Sequence, residues 1–447
     1  MRRKPGAPAD LILKDETQRG IKRETRTYRF LTYVMGGGVK VNNDKVTRHF
    51  KERDEHTPIR VASIRGQLRF WWRACNPQCC TSVADLHAKE SEIWGSSEVQ
   101  SSVKITIAVQ PKQVRKVSVY EYVQSPHSKT GEIRWRMRHL KDRQDMAYGA
   151  FPIQPSNEAQ KVTPRKEPGV LYDYAEQLFS IRLEYDSVHA KDVEMALWAW
   201  ETFGGLGGRT RRGFGAIEYV DASRTIESIR EKLLQLAKHP SIPGVPSLAH
   251  ARFARAPSTW PKSVNAWEHG LRVLRMLRQG ANLGRNPPQP DSKSPAGRSR
   301  WPEAEGIREI TNQRSRKHAP LPKQADRFPR AVFGMPIEFH FQDGATYPDE
   351  RDVEPADTTL KPANADRMAS PLIIRPIREG DVFRACALVL TTTLPERIIL
   401  KTKDERKVPS TVVVKLDRKD AEQIQPMKIN GNILLDPLDR FLEELKK

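Results

Sequence analysis

Glycine and arginine are concentrated in one short stretch, GGLGGRTRRGFG at residues 204–215, which contains six glycines and three arginines. A helix cap accounts for one or two glycines, because a single residue with positive φ is enough to end a helix. Repeated glycines let a backbone approach a partner closely, and arginines pair with phosphate groups. The stretch therefore predicts a loop that contacts a polyanion. The residues expected to make these contacts are Gly205, Gly207, Gly208, Arg209, Arg211 and Arg212.

The position of this stretch excludes two common phosphate-binding loops. The G-x-x-x-x-G-K-[ST] loop and the dinucleotide-binding fingerprint both open a helix, whose free amides meet the phosphates. This stretch instead follows the apolar run VEMALWAWETF, lacks the lysine and leads into a predicted strand, GAIEYV. An extended phosphate backbone remains as the expected partner. A helix cap followed by a tight bend is the simpler alternative, and it stays open.

A second basic stretch, TPIRVASIRGQLRFWWRAC, occupies residues 57–75. Ser63 is the expected N-cap, and apolar residues follow it at helical spacing. Arginines recur every four residues beside that apolar face, which predicts phosphate contacts near a helix N-terminus, although a solvated face is the alternative. Trp72 could stack on a base or belong to the core. The arginines concerned are Arg65, Arg69 and Arg73. The preceding predicted strand, TYRFLTYVMGGG, ends in three further candidate contacts, Gly36, Gly37 and Gly38.

The charge of the chain favours the same class of partner. Its 447 residues contain 76 Lys and Arg against 55 Asp and Glu, a formal net charge of +21. Such an excess suits nucleic acid first and an anionic membrane surface second. No apolar run approaches the roughly 20 residues that a membrane span requires, and the N-terminal sequence has no hydrophobic signal core. We therefore expect a cytoplasmic protein that does not bind membranes.

The cysteines leave one alternative open. Cys75, Cys79 and Cys80 cluster near His87, but the C-x-x-x-C-C spacing lacks the paired C-x-x-C hairpins of structural zinc sites. Free thiols near a helix end are the expectation, so neither a metal nor a cofactor is predicted. Whether the three cysteines bind a metal stays open.

The order of predicted elements indicates an α+β fold in two halves, residues 1–240 and 241–447. In the first half, strand, helix, strands, helix and strand follow one another, as in a ferredoxin-like sheet with helices on one side. The second half repeats this plan with a basic helix, SVNAWEHGLRVLRMLRQG, and the strands MPIEFHF, SPLIIRPI and VFRACALVLTTT. Residues 282–330 carry eight prolines and eleven Lys or Arg with little apolar periodicity, which predicts a flexible insertion.

Three motifs in this order resemble the RAMP superfamily and, within it, the subunit 1 family of the Cmr module. They are TPIRVASIRGQLRFWWRA, EIWGSS at residues 92–97 and FGGLGGRTRRGFGAIEY. The second half agrees, since DRFPRAVFGMPIEFHF and DRMASPLIIRPI resemble that family's second RAMP domain. The strand before the first glycines, the cysteine cluster and residues 282–330 depart from the family pattern.

The resemblance implies two tandem ferredoxin-like (RRM-like) RAMP domains with long insertions, in a type III-B CRISPR ribonucleoprotein. It implies an RNA-binding subunit near the 3′ end of the CRISPR RNA that helps to capture complementary target RNA for antiviral defence. Its partners would be both RNAs and other RAMP subunits, and it would not be an enzyme. Two alternatives remain, a CRISPR-repeat endoribonuclease using His49 or His56 as general base, and a purely structural scaffold subunit.

Overall fold

The computed structural model describes most of the chain. The described residues are 20–36, 59–75, 80–111, 115–126, 131, 133–154, 169–222, 224–239, 241–288, 297–316, 326–341, 344–345, 347, 350, 352–409 and 411–447.

The first half folds into one main sheet, two helices that cover it, and smaller ribbons. In chain order its elements are β1 (Ile21–Phe30), α1 (Val61–Ala74), α2 (Val83–Trp94), β2 (Val103–Val109), β3 (Arg115–Ser118), β4 (Tyr120–Pro126), β5 (Ile133–His139), α3 (Gln144–Gly149), β6 (Val170–Asp173), β7 (Leu178–Asp186), α4 (Ala190–Phe203), β8 (Ile217–Tyr219) and α5 (Ile226–Leu236).

The main sheet is antiparallel, with strand order β2-β7-β1-β8. The chain passes through it as strand, helix, two strands, helix and strand, with α1 and α4 as the two connecting helices. Tyr28 and Phe30 of β1 face these helices and lie in a fully buried core with Trp200 of α4. The opposite face of the four strands carries Thr, Ser, Arg, Lys and Glu but no aromatic residue.

The described part of the second half contains two separate three-stranded sheets, one long helix and three shorter helices. In chain order its elements are β9 (Ser247–Arg255), α6 (Ser263–Gln279), α7 (Glu303–Thr311), β10 (Ile337–Phe339), β11 (Thr358–Pro362), β12 (Leu372–Glu379), β13 (Val382–Thr391), β14 (Ile398–Thr402), α8 (Arg418–Gln423), β15 (Lys428–Ile429), β16 (Asn432–Ile433) and α9 (Pro437–Leu445).

The sheet β12-β13-β9 is covered on both faces, which explains the nearly continuous apolar runs of β12 and β13. One face packs against the helices of the first half, and the other packs against α6 and α9, so sheets and helices alternate in four layers. Residues that share a core with the first half are Ile373, Ile377, Cys386, Leu388 and Leu390, whereas Leu372, Ile374, Ala385, Ala387 and Val389 face α6 and α9.

Most of the predicted helices and strands are confirmed, with three corrections. Helix α1 begins at Val61 after Arg60, so Ser63 is not its N-cap. The strand in MPIEFHF joins the sheet β10-β11-β14 rather than the sheet formed by β12 and β13. Helix α7, which was not predicted, lies in the described part of segment 282–330, and Trp301 there is buried and donates to the carbonyl of Leu277 at 2.8 Å. No described helix has both the length and the apolar character needed to cross a membrane.

Two buried arginines join the halves by reaching across in opposite directions. Arg212 of the first half donates to the carbonyls of Leu372 at 2.9 Å and Phe333 at 3.1 Å. Arg375 on β12 donates back to the carbonyls of Gly204 at 3.2 Å and Ile217 at 2.6 Å. Burial lowers the pKa of each guanidinium to about 9, so both remain protonated at neutral pH. The charge is held by backbone dipoles rather than by carboxylates.

Glycines make this close approach possible. A Cβ on Gly213 would lie 2.6 Å from the carbonyl oxygen of Ile374 and equally close to the Trp267 ring. A Cβ on Gly215 would lie 1.9 Å from the carbonyl oxygen of Leu206. Between these glycines, Phe214 is fully buried with its ring centroid 4.7 Å from that of Trp267. Residues 204–215, called the glycine loop below, are therefore packed inside the protein over much of their length.

Replacing Arg212 by Ala should destabilise the protein strongly, because two buried carbonyl oxygens lose their donor and a cavity remains. We expect a loss of about 2–5 kcal/mol in the free energy of unfolding, measured by thermal or urea denaturation. Arg418→Ala is the matched control, since that side chain is 78% exposed and should change stability by about 0.5 kcal/mol or less. Equal melting temperatures for the two variants would contradict this role.

Gly215→Ala should cost more stability than Gly244→Ala, although both glycines have positive φ. A Cβ at Gly244 meets no atom within 4 Å, so that variant suffers only the backbone strain of about 1 kcal/mol. At Gly215 the added carbon meets a backbone oxygen that no rotamer change can move, which should add about 1–3 kcal/mol or more. Urea denaturation of both variants measures the difference, and similar midpoints would show that the loop relaxes freely.

Candidate nucleic-acid interface

Two arginines lie where the glycine loop reaches the surface. Arg209 donates through Nε to the carbonyl oxygen of Gly149 at 3.0 Å, and its guanidinium lies 5.0 Å from the ring centroid of Phe151. Arg211 donates to the carbonyl oxygen of Ser370 and lies 5.1 Å from the ring centroid of Phe70. Both side chains are partly exposed. Arg209 also has a left-handed backbone, φ 61°, which is costly for a residue with a side chain and marks a constrained position.

Positive charge accumulates here without carboxylates to neutralise it. Arg278 at the end of α6 joins Arg209, Arg211 and Arg212 from the other half, and its charge helps to lower the pKa values of Arg209 and Arg212. Desolvation is the larger cause in both cases and also lowers the pKa of Arg211. Within the described residues none of these four arginines forms an ion pair. They are called the seam arginines below, and the region around them is called the seam. A site of this kind attracts anions.

Exposed glycine backbone lies beside the seam arginines. Gly207 is exposed, and Gly208 donates its N–H to the carbonyl oxygen of Met35 at 2.7 Å, which brings the first glycine run alongside the loop. Gly36 follows Met35, is exposed, and has no atom within 4 Å of a Cβ position. An elongated ligand could therefore lie close to the main chain here. Gly37 and Gly38 fall outside the described residues.

The interior part of the glycine loop does not have the expected solvent-facing position. Arg212 is buried, and its donors are taken by carbonyl oxygens of the second half. Gly205 is buried as well, because its backbone bridges to Ala216 and a Cβ would lie 2.5 Å from the carbonyl oxygen of Gly215. The expectation of a solvent-facing basic loop is corrected for both residues. The physical reason is that the loop forms the contact between the halves, which sequence spacing cannot reveal.

The arginines of α1 are held by α2 and the turn after it. Arg69 donates to Glu90 at 2.5 Å, and Arg73 binds the same buried carboxylate. Arg65 donates to the carbonyl of Trp94 at 3.2 Å and to the hydroxyl of Ser101 at 2.6 Å. These three side chains thus stabilise the pairing of the two helices. Trp72 is a core residue that donates to Asp192 at 2.8 Å. The alternative of a core position is therefore the one the structure supports for that ring.

Sequence reasoning missed two residues near the seam arginines, Arg278 from the second half and Phe151 from the turn after α3. Neither residue was singled out as a candidate contact. No local signal could have identified them, because Phe151 lies 53 residues before the glycine loop and Arg278 lies 63 residues after it. Arg330, whose charge interacts with that of Arg278, is partly neutralised by Glu303, with Nε and the carboxylate 3.0 Å apart.

The cysteines and histidines considered for metal binding or catalysis are only partly described. Cys75 and Cys80 are buried, and burial raises the pKa of the Cys75 thiol well above its usual value. Among the described residues no group of three or more His, Cys, Asp or Glu could hold a metal ion. Cys79, His49 and His56 lie outside the described residues.

Comparison with known proteins identifies a family over part of the chain. Residues 27–218 match the model of the RAMP superfamily. The CRISPR system Cmr subunit Cmr1-1 of Pyrococcus furiosus is 27% identical over 174 residues, covering 38% of this chain and 44% of the relative. The alignment thus spans less than half of that relative's length.

Solved structures give a weaker likeness over more of the chain. The crystal structure of Cmr1 from Pyrococcus furiosus in its apo form has a TM-score of 0.42 at 16% identity, covering 94% of this chain and 96% of the other. A chain of the cryo-EM structure of the Type III-B Cmr-beta bound to cognate target RNA has a TM-score of 0.39 at 10% identity, covering 90% and 98%. No residue role is transferred from either structure. Residues 27–218 therefore match the RAMP superfamily, and the chain is similar to subunit 1 of the Cmr module.

Proposed function

We propose that this protein is an RNA-binding, non-catalytic subunit of a type III-B CRISPR (Cmr) ribonucleoprotein. It acts near the 3′ end of the CRISPR RNA and helps to capture complementary target RNA in antiviral defence. Its partners are the CRISPR RNA, single-stranded target RNA and other RAMP subunits, and it works in the cytoplasm. The observation that carries RNA binding is the group of seam arginines, which have no carboxylate partner among the described residues.

The proposal includes two tandem ferredoxin-like domains, residues 1–240 and 241–447. The strand order β2-β7-β1-β8 with two connecting helices supports the first domain. In the second, β9, α6, β12, β13 and α9 follow in the corresponding order, and the sheet order β12-β13-β9 matches three of the four strands of the first domain. No described strand pairs with the other edge of β9. The two domains share one core, so we expect them to move as a unit.

The proposed RNA path follows the exposed part of the glycine loop. Arg209, Arg211, Gly36, Gly207 and Gly208 form it, with Arg278 beside them. The open face of the main sheet is a weaker candidate, because RRM-type sheets bind bases with aromatic residues and this face has none. Arg65, Arg69 and Arg73 contribute indirectly in this proposal, by fixing α1 against α2, and Gly205 and Arg212 contribute by holding the loop in place.

Changing Arg209 and Arg211 together to Ala should weaken the binding of unstructured single-stranded RNA. Each arginine removed costs about 1–2 kcal/mol of binding free energy, since bonds to charged groups are the stronger ones. The plot of log K against log salt should also become less steep, its slope changing by about 1.4 at roughly 0.7 per lost phosphate contact. Fluorescence anisotropy over a range of salt concentrations measures both quantities.

The matched control is the pair Arg316→Ala and Arg418→Ala, whose side chains are 84% and 78% exposed. It removes the same charge from positions outside the seam, so affinity should fall far less. Arg212 is left intact in both proteins, because its loss would destabilise the fold. Equal effects of the two pairs would show that RNA responds to net charge alone, and a salt-independent affinity in the unaltered protein would overturn phosphate-dominated binding.

Affinity purification from native extract should recover repeat-derived guide RNA together with other RAMP proteins. The expectation follows from the RAMP domain at residues 27–218 and the similarity to a Cmr subunit. Sequencing of the bound RNA and mass spectrometry of the proteins provide the measurement. Recovery of the protein alone would contradict a role in a ribonucleoprotein. Specific cleavage of repeat RNA by the purified protein, lost on changing His49 or His56, would favour the endoribonuclease alternative instead.

A further inference from the structure

Phe151 has an unusual environment for an aromatic residue. Its side chain is 57% exposed, and Phe151 and Tyr347 are the only aromatic residues among the exposed large hydrophobic side chains of the described chain. Exposing a phenylalanine ring to water costs free energy, about 25 cal/mol for each Å² of apolar surface. The ring is also the neighbour of Arg209, whose guanidinium lies 5.0 Å from its centroid. An exposed ring beside a cation that has no acidic partner is a feature that binding sites share.

The ring is held firmly in this exposed position. Phe151 opens a 3₁₀ turn, Phe151–Ile153, in which the preceding residue Ala150 and the last residue Ile153 are buried. Just before it, Gly149 packs so closely that a Cβ would lie 3.0 Å from the Phe214 ring, and its carbonyl accepts the bond from Arg209. The turn and the arginine are therefore fixed to the same part of the glycine loop. Such preorganisation lowers the entropic cost of binding a ligand.

We propose that Phe151 stacks on an unpaired base of the RNA whose phosphates contact Arg209 and Arg211. This inference rests on the proposed RNA binding and adds a base contact to it. Single-stranded RNA suits the arrangement because its bases are free to stack on aromatic rings while basic side chains follow the backbone. A double helix would keep its bases inside. Without Phe151, the glycine and arginine residues of the seam would contact only phosphates, so they would bind RNA with bases and RNA without bases equally well.

Binding of an unstructured RNA and of the same RNA with abasic sites, measured by anisotropy, tests this directly. The unaltered protein should prefer the RNA with bases, and Phe151→Ala should bind that RNA about 5- to 150-fold more weakly. Phe151→Ala should bind both RNAs alike and keep the salt slope, because no phosphate contact is lost. Phe151→Trp should restore the preference, whereas Phe151→Leu should not.

Leu234→Ala is the matched control, since Leu234 is 69% exposed and lies on α5, which contributes none of the residues proposed to contact RNA. It should leave both affinities unchanged. If Phe151→Ala binds intact RNA as tightly as the unaltered protein, the stacking role is overturned while phosphate-dominated RNA binding stands. If the unaltered protein binds no RNA, the proposed function itself fails. If Phe151→Ala binds RNA normally but loses co-purifying RAMP proteins, the ring belongs to a protein interface and the inference is wrong.

Discussion

The structure depends on a reciprocal pair of buried arginines at the contact between its halves. Arg212 donates to carbonyls of the second half, and Arg375 donates to carbonyls of the first. Burying a charge without a carboxylate is costly, and it is tolerated here because bonds to a charged donor contribute about 1.5–3 kcal/mol each. The carbonyl acceptors belong to Gly204, Ile217, Phe333 and Leu372, so one pair of side chains links the glycine loop, β8 and β12. Arg209 and Arg211 extend from the loop that this pair holds.

The arginines of one short sequence thus have different roles. Arg212 points inward and holds the halves together, whereas Arg209 and Arg211 remain near the surface. Their own bonds go to backbone carbonyls, of Gly149 and Ser370, which orient the guanidinium groups without neutralising them. The α1 arginines differ in this respect, because Glu90 neutralises two of them. For RNA binding, what matters is therefore which group accepts the hydrogen bond of each arginine. A backbone carbonyl leaves the positive charge unneutralised, whereas a carboxylate neutralises it. The number of arginines is less informative.

The spacing of apolar residues predicted the helices and most strands, because apolar residues recur on the face of each element that is buried. The apolar run VEMALWAWETF lies within α4 and ends with it, and the apolar runs of β12 and β13 match a sheet covered on both faces. What the sequence could not supply were contacts between distant segments. Glu90 lies 21 residues from Arg69, and Arg278 lies 69 residues from Arg209. No short sequence pattern can therefore indicate that the two residues of either pair lie close together. Helix α7 was missed because prolines and charges surround a nine-residue element with few apolar positions.

The glycines show why composition alone is a weak guide to function. Gly204, Gly205, Gly213 and Gly215 are required by contacts within the protein, since a Cβ on each would lie closer than 3.0 Å to another atom. A glycine-rich loop of this kind would be needed even if no RNA were bound. Net charge is equally indirect, because many of the basic side chains are paired with carboxylates. The seam differs because unneutralised arginines, exposed backbone at Gly36 and Gly207, and an exposed aromatic ring coincide there. Arg209, Arg211, the two glycines and Phe151 belong to the first half, and the second half adds Arg278 and the Ser370 carbonyl that orients Arg211. The complete candidate interface therefore forms only when both halves are packed together.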